Sequence, residues 1–349
     1  MTDEMAASVA RSGTRRAVPD HPCESPTTVV AAFGGPARFA SHFRKWTAQA
    51  MQHIAPLVFP SGVKTSRHGS MSSFEATVLL LSRLCSASGW DTLQPAFNRA
   101  HTNLCGMFVA ALNDFVGRFE VLLDLRESVP RFRARRTLYK RALERFAERR
   151  HTELTDELRN VSFLLDGVRQ SVGRSIDKET QRAAYSGMTK THNLLYGALV
   201  SLCGIVVAVS KAVPGCFSDK RFEWEFEEVL RDEELVALCD GIFHRVEGVL
   251  LPVPHRKKQT ADPAVRKQAK GMASLCIPVE WAFGHIKSMF PLAFCRDKSH
   301  VGVSLPERQL RAAVILYNMH LCLYGGQATT YLAVAPPTLA WYVSPVTGT

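Results

Sequence analysis

The chain has 349 residues, too many for one small module and enough for one large domain or two ordinary ones. Hydrophobic residues make up 46% and charged residues 21%, a globular balance that excludes wholesale disorder. Lys and Arg number 43 against 32 Asp and Glu, leaving +11, which favours a polyanionic partner: nucleic acid first, an acidic membrane second.

The opening MTDEMAASVARSGTRR lacks an apolar core of signal-peptide length, so secretion is not expected. Nine cysteines are scattered without any C-x-x-C, which points to reduced thiols rather than a disulfide framework or a zinc site. Residues 1–35, with Pro19, Pro22, Pro26, Gly34 and Gly35 and no periodicity, are expected as a flexible tail. From Pro36 to Leu57 the apolar residues Phe39, Phe43, Trp46, Ala50 and Ile54 recur every three or four positions and predict an amphipathic helix. Residues 61–73 read as a loop. Phe74–Cys85 reads as an apolar helix with Ser73 as its N-cap. A Gly-containing break, a short helix and a periodic run over His101–Val116 complete a helix-turn-helix-like outline within residues 36–158. The same outline also describes a helical bundle without DNA contact.

Residues 131–150 hold eight Arg and one Lys against two Glu. Residues 251–272 hold Arg256, Lys257, Lys258, Arg266, Lys267 and Lys270 against Asp262. Charge so concentrated suggests a phosphate-tracking surface, with Arg131, Arg133, Arg135, Arg136, Lys257 and Lys258 as candidate DNA contacts. The competing reading is a solvated helix face and a loop.

After Arg159 the pattern changes. Val161–Asp166 and Leu235–Asp240 are short apolar runs, each ending in Asp-Gly. The uncharged stretch Asn193–Ser210 reads as two buried strands joined by a turn near Ser201–Gly204, because it barely reaches the ~20 residues a membrane span needs. His192–Leu199, Ile205–Val213 and Val249–Leu251 look like strands; Phe222–Glu234, Met272–Phe290 and Leu305–Tyr324 look helical. This is an α/β or α+β domain over residues 159–326, with 327–349 expected as a tail.

An acid at a strand's end stands at the sheet rim, where a following Gly lets the chain turn away. Glu280 lies seven residues before Lys287, on the same face of one helix. Carboxylates from two strands and a helix, if they converge, suit Mg2+ or Mn2+ as hard oxygen donors. Mutual repulsion raises their pKa values, and two divalent cations would relieve it and serve phosphodiester cleavage.

Several landmarks occur in one order: FLLDG (Phe163–Gly167), YSGMTKTH (Tyr185–His192), VPGCFSD (Val213–Asp219), LCDGIF (Leu238–Phe243), PVEWAFGHIK (Pro278–Lys287) and AAVILYNMH (Ala312–His320). In that order they resemble the DDE endonucleases of the PIF/Harbinger transposase group, over roughly residues 160–325. The resemblance implies an RNase H-like domain with a mixed sheet. It implies two divalent cations, Mg2+ or Mn2+, at Asp166, Asp240 and Glu280, with Asp219 as rival for the second acid. Lys287 would meet a DNA phosphate, and His192 is either near the cations or structural. It also implies a nuclear location, with cytoplasmic residence allowed for, DNA as partner, no membrane, room for an oligomer, and a Myb/SANT-like DNA-binding partner protein. Departures from the family pattern are Val168 after the first Asp-Gly, Gly241–Ile242 after the second Asp, Ile277 three before Glu280, and Trp281 after it. They leave all three acids but open a second reading, a domesticated DNA-binding protein with impaired catalysis. A nuclease acting on RNA is a third.

Overall fold

The computed structural model describes residues 25–87, 89–151, 153–254, 263–298 and 305–348. Its first half is helical apart from one hairpin. Helix α1 (Pro26–Ala32) starts inside the stretch expected as a tail, and Ser25 caps it by accepting the Thr28 N–H. The periodicity over 36–57 is carried by two helices, α2 (Pro36–Phe43) and α3 (Ala48–Val58). The chain breaks between them at Arg44, whose φ is 59°. The apolar spacing survives because Phe39, Phe43, Trp46, Ala50 and Ile54 are all buried on either side of the break.

Residues 61–73 are not simply a loop: β1 (Val63–Thr65) and β2 (Gly69–Met71) pair antiparallel within them. Ser72, not Ser73, caps α4 (Ser73–Cys85), while the Ser73 hydroxyl donates to the Phe59 carbonyl. Every residue of α4 after Ser73 is buried, Glu75, Thr77, Ser82 and Arg83 included, so it is a central helix. Short α5 (Gln94–Phe97) leads to α6 (His101–Phe119). The exposed positions of α6 are His101, Thr102, Val109, Asp114 and Gly117, with no Lys or Arg among them.

Helices α7 (Leu125–Arg133) and α8 (Arg136–Arg150) carry the basic block, and α9 (Asp156–Arg159) leads into the sheet. The strands are β3 (Val161–Ser171), β4 (Tyr185–Ser186), β5 (Thr191–Ser201), β6 (Val206–Val209), β7 (Val213–Pro214), β8 (Val236–Cys239) and β9 (Leu250–Pro252). Central β3 pairs antiparallel with β5 and parallel with β8, and β8 pairs parallel with β9. On its other side β5 takes β6 against its C-terminal half and β4 and β7 against its N-terminal half. Helix α10 (Lys178–Ala184) precedes β4, α11 (Glu223–Asp232) precedes β8, and α12 (Pro263–Met289) and α13 (Pro306–Tyr324) follow the sheet. This is the mixed sheet of an RNase H-like domain, preceded by helices. The strand pair expected within 193–210 is β5 and β6, and among the described residues no helix is long and apolar enough to cross a membrane.

Strand alternation puts Leu164, Asp166, Val168 and Gln170 on one face of β3, and Phe163, Leu165, Gly167 and Arg169 on the other. The first face is covered from the region of α12 and α13. Gln170, fully buried, donates to the carbonyls of Ala293 (2.6 Å) and Pro306 (2.8 Å) and accepts from the Tyr196 hydroxyl (2.7 Å). Asn318 of α13 bonds both the N–H and the C=O of Val206, tying that helix to β6.

Residues 327–348, expected as a tail, form α14 (Gln327–Leu332) and α15 (Leu339–Thr347), with Leu332, Val334, Leu339, Tyr342 and Val343 buried. The basic block holds them. Arg131 donates to Trp341 O (2.6 Å) with its guanidinium 4.6 Å from the Trp341 ring centroid. Arg135 donates to Ala335 O, Arg145 to Ala333 O (3.3 Å) and Arg149 to Tyr331 O (2.8 Å).

Candidate active site

Asp166 and Asp240 stand level with each other on neighbouring strands. In the parallel ladder Leu164 pairs with Leu238 and Leu165 with Cys239, so the next step brings the two acids together. Each is followed by glycine, and each is held in the same way. Asp166 Oδ1 accepts the Gly167 N–H at 2.7 Å, and Asp240 Oδ1 accepts the Gly241 N–H at 2.6 Å. Asp166 is half-buried and Asp240 exposed at the rim.

Glu280 projects from α12, exposed, one turn after Cys276. Electrostatics report the convergence. Burial pushes the Asp166 carboxyl up to about 6, the Gly167 hydrogen bond opposes this, and the charges of Asp219, Asp240 and Glu280 add to the rise. The Cys276 thiol is likewise pushed up, by burial first and then by Cys239, Asp166, Asp240 and Glu280. Two different groups, Asp166 and Cys276, therefore both feel Asp240 and Glu280.

Asp219 reaches the cluster from the opposite face of β3. A Cβ on Gly167 would lie 2.4–2.9 Å from the Asp219 carboxyl atoms, so that carboxylate rests on a strand position only glycine can fill. Arg169, two residues along on the same face, pairs with Asp219 at 3.0 Å. Burial raises the Asp219 pKa, Arg169 lowers it and Asp240 raises it. Gly197 pairs with Gly167 across β3 and β5, and a Cβ there would lie 2.6–2.7 Å from the rings of Phe226 and Phe222. The two facing glycines let the segment 219–226 lie against the strands, which is what delivers Asp219. Arg169 and this glycine pair were not singled out from sequence. The only local signal was the PG-x-x-x-D run ending at Asp219.

The other sequence-predicted residues are distributed differently. Lys287 is exposed on α12, its Nζ 5.5 Å from the Phe294 ring centroid. Trp281, where the family pattern has Arg, meets Tyr331 of α14 edge-on at 5.1 Å and so belongs to the packing of the C-terminal helices. His192 pairs opposite Tyr185, six residues along β5 from the partner of Asp166, or ~20 Å at the rise of a strand. It is therefore remote from the acids. Arg133 is engaged by Glu233 and Glu234, Arg131 and Arg135 by C-terminal carbonyls, and Arg136 is partly buried. Lys257 and Lys258 lie outside the described residues.

Among the described residues, no group of three His, Cys, Asp or Glu stands ready to hold a metal ion. One oxygen of Asp166 and one of Asp240 are turned onto glycine amides. The donor set nevertheless has the right chemistry for a hard divalent cation: three carboxylates from separate elements, mutually repelling, with a fourth behind them.

Residues 165–318 match the family model of the DDE superfamily endonucleases. The match spans Asp166, Asp219, Asp240, Glu280 and Asn318, and it supports a transposase-derived nuclease family for this part of the chain. No curated protein and no solved structure matches the chain.

Proposed function

We propose that the chain is a divalent-cation-dependent DNA endonuclease or transposase of the Harbinger type, working by a two-metal mechanism. The observation that carries this is that the β3–β8 ladder ends with Leu165 opposite Cys239, one residue before Asp166 and Asp240, and that Asp240 and Glu280 both act on the Asp166 carboxyl. Asp166, Asp240 and Glu280 would hold two Mg2+ or Mn2+ ions, which when bound supply charge neutralisation and activation of water for phosphodiester attack. The residues themselves supply the rest. Burial and the neighbouring acids push the Asp166 carboxyl up to about 6, and bound cations would favour its ionised form. The glycine N–H bonds hold one oxygen of each aspartate and, among the described residues, leave the other without a hydrogen bond. Arg169 holds Asp219 behind the pair and opposes the rise that burial gives its pKa. Lys287, two turns beyond Glu280, is the cation in reach of a phosphate on that face of α12. A nuclear location and a Myb/SANT-like partner belong to the same reading.

The test is nicking of DNA bearing transposon-like ends with Mg2+ or Mn2+. Asp166→Asn, Asp240→Asn and Glu280→Gln should each lower the rate at least a hundredfold. Equal nicking by wild type and Asp166→Asn would reject the proposal. A second reading, a DNA-binding derivative without turnover, is favoured by Trp281, which stands after Glu280 where the family pattern has Arg and packs on Tyr331. It expects salt-sensitive DNA binding with no nicking under either cation.

A further inference from the structure

A second site lies at the far end of β5. The stretch Tyr185–His192 folds as β4, a turn and the start of β5, so its first and last residues become cross-strand partners, with rings 5.5 Å apart. They border a cavity of about 610 Å3 lined by Arg174, Lys178, Gln181, Arg182, Tyr185 and His192. That volume suits one nucleotide-sized ligand.

The lining is unusual for a structural crevice. Lys178 and Arg182 sit four apart on one face of α10, and Arg174 joins them. All three are exposed, and among the described residues no acidic side chain pairs with any of them. Tyr185 is 44% exposed. His192 is 9% exposed, and its buried Nδ1 has no hydrogen-bond partner among the described residues. Arg174 and Arg296 both lie near enough to act on the His192 charge, so the imidazole sits in a positive field. Three free cations beside an exposed aromatic face, over a floor holding an unpaired imidazole nitrogen, match a phosphate with its attached base.

We infer that this cavity binds an unpaired nucleotide of the DNA substrate, its phosphate on Arg174, Lys178 and Arg182 and its base stacked on Tyr185. The inference rests on the reading of the acid cluster as a DNA-cutting site. A fully paired duplex cannot fill the pocket, because its bases are already stacked within the helix.

The experiment compares binding of two probes by the full chain in EDTA, where no cleavage occurs. One is a fully paired 20-base-pair duplex; the other is the same duplex with a three-nucleotide unpaired tail carrying 2-aminopurine. The tail should tighten binding at least fivefold and its fluorescence should fall on binding. Tyr185→Leu should abolish the fluorescence change and most of the gain. Lys178→Gln with Arg182→Gln should remove the gain and flatten the salt dependence of log K by between one and two. Tyr185, Lys178 and Arg182 are exposed, and unchanged circular dichroism and melting of each variant show that it folds. Absence of a gain from the tail, or full retention of the gain in these variants, overturns the proposal. Asp166→Asn should keep the gain while losing cleavage. A wild type that cuts but shows no gain rejects the pocket alone; one that shows the gain but never cuts rejects the nuclease reading alone.

Discussion

The Asp219 carboxylate lies on the backbone of Gly167, so close that a methyl group cannot be inserted between them. Gly167→Ala should therefore push Asp219 off β3 and break its ion pair with Arg169. Overpacking of this kind costs about 1–3 kcal/mol. The melting temperature should drop by several degrees, and DNA nicking should fall with it. Asp219→Ala in the Gly167→Ala background should recover much of the lost stability. If the double variant melts below the single one, the contact is not the source of the strain.

Asp166 makes a pH signature. Its folded-state pKa, about 6, lies above that of an ordinary aspartate, so the unfolded chain ionises it first. Wild-type stability should thus decline as pH rises from about 4 to about 6, by up to about 3 kcal/mol for a two-unit shift. The partial exposure of Asp166 reduces this figure. Asp166→Asn lacks that titration. In EDTA the variant should melt level with or below wild type at pH 4 and above it at pH 7.5. Millimolar Mn2+ at pH 7.5 should raise wild type more than the variant. Parallel melting curves across the whole range would contradict the electrostatic account of the cluster.

Gln170 satisfies three groups at once: the carbonyls of Ala293 and Pro306, and the Tyr196 hydroxyl. Gln170→Leu is close in size but leaves all three without it in the interior. A loss of about 2–4 kcal/mol is expected, since each buried orphan costs about 1–3 kcal/mol and some relaxation occurs. Adding Tyr196→Phe should restore part of it. Chemical denaturation with both single variants and the double variant measures the coupling.

The arginine block divides by partner. Arg131→Gln removes a donor to Trp341 O and a cation over the Trp341 ring, and should loosen α15. Limited proteolysis should then clip the C-terminal residues sooner, while DNA affinity at fixed salt stays within twofold of wild type. Neutralising Lys140 and Arg141, which are exposed on α8, should weaken DNA binding instead and lower its salt dependence. If Arg131→Gln alone lowers affinity tenfold with the C-terminal region intact, that arginine contacts DNA.

The acids were legible because their signal is local. An apolar run ending in Asp-Gly describes a strand reaching the sheet rim, and it occurs at Asp166 and again at Asp240. The helix of Glu280 was legible from its periodicity. The seat of Asp219 was not, because it depends on Gly167 and Gly197 facing each other across two strands 30 positions apart in sequence. The C-terminal helices were hidden for a related reason. The arginines that fix α14 and α15 lie about 200 residues earlier. Their charge suggested phosphate, whereas many of their donors meet carbonyls. The single helix expected over 36–57 failed because apolar spacing does not register the positive φ at Arg44.

The β3–β8 ladder contains one irregularity. Val161 is level with Val236, but Phe163 is level with Ala237, so Ser162 is an extra residue absorbed before the acids are reached. Without that absorption Asp166 would lie beside Gly241. Tolerance to length change is therefore uneven along this strand. A residue gained or lost near Ser162 can be taken up by the irregularity, whereas a single-codon insertion between Leu164 and Asp166 would turn the carboxylate to the opposite side of the sheet. Such an insertion should abolish nicking outright while many point substitutions nearby only weaken it.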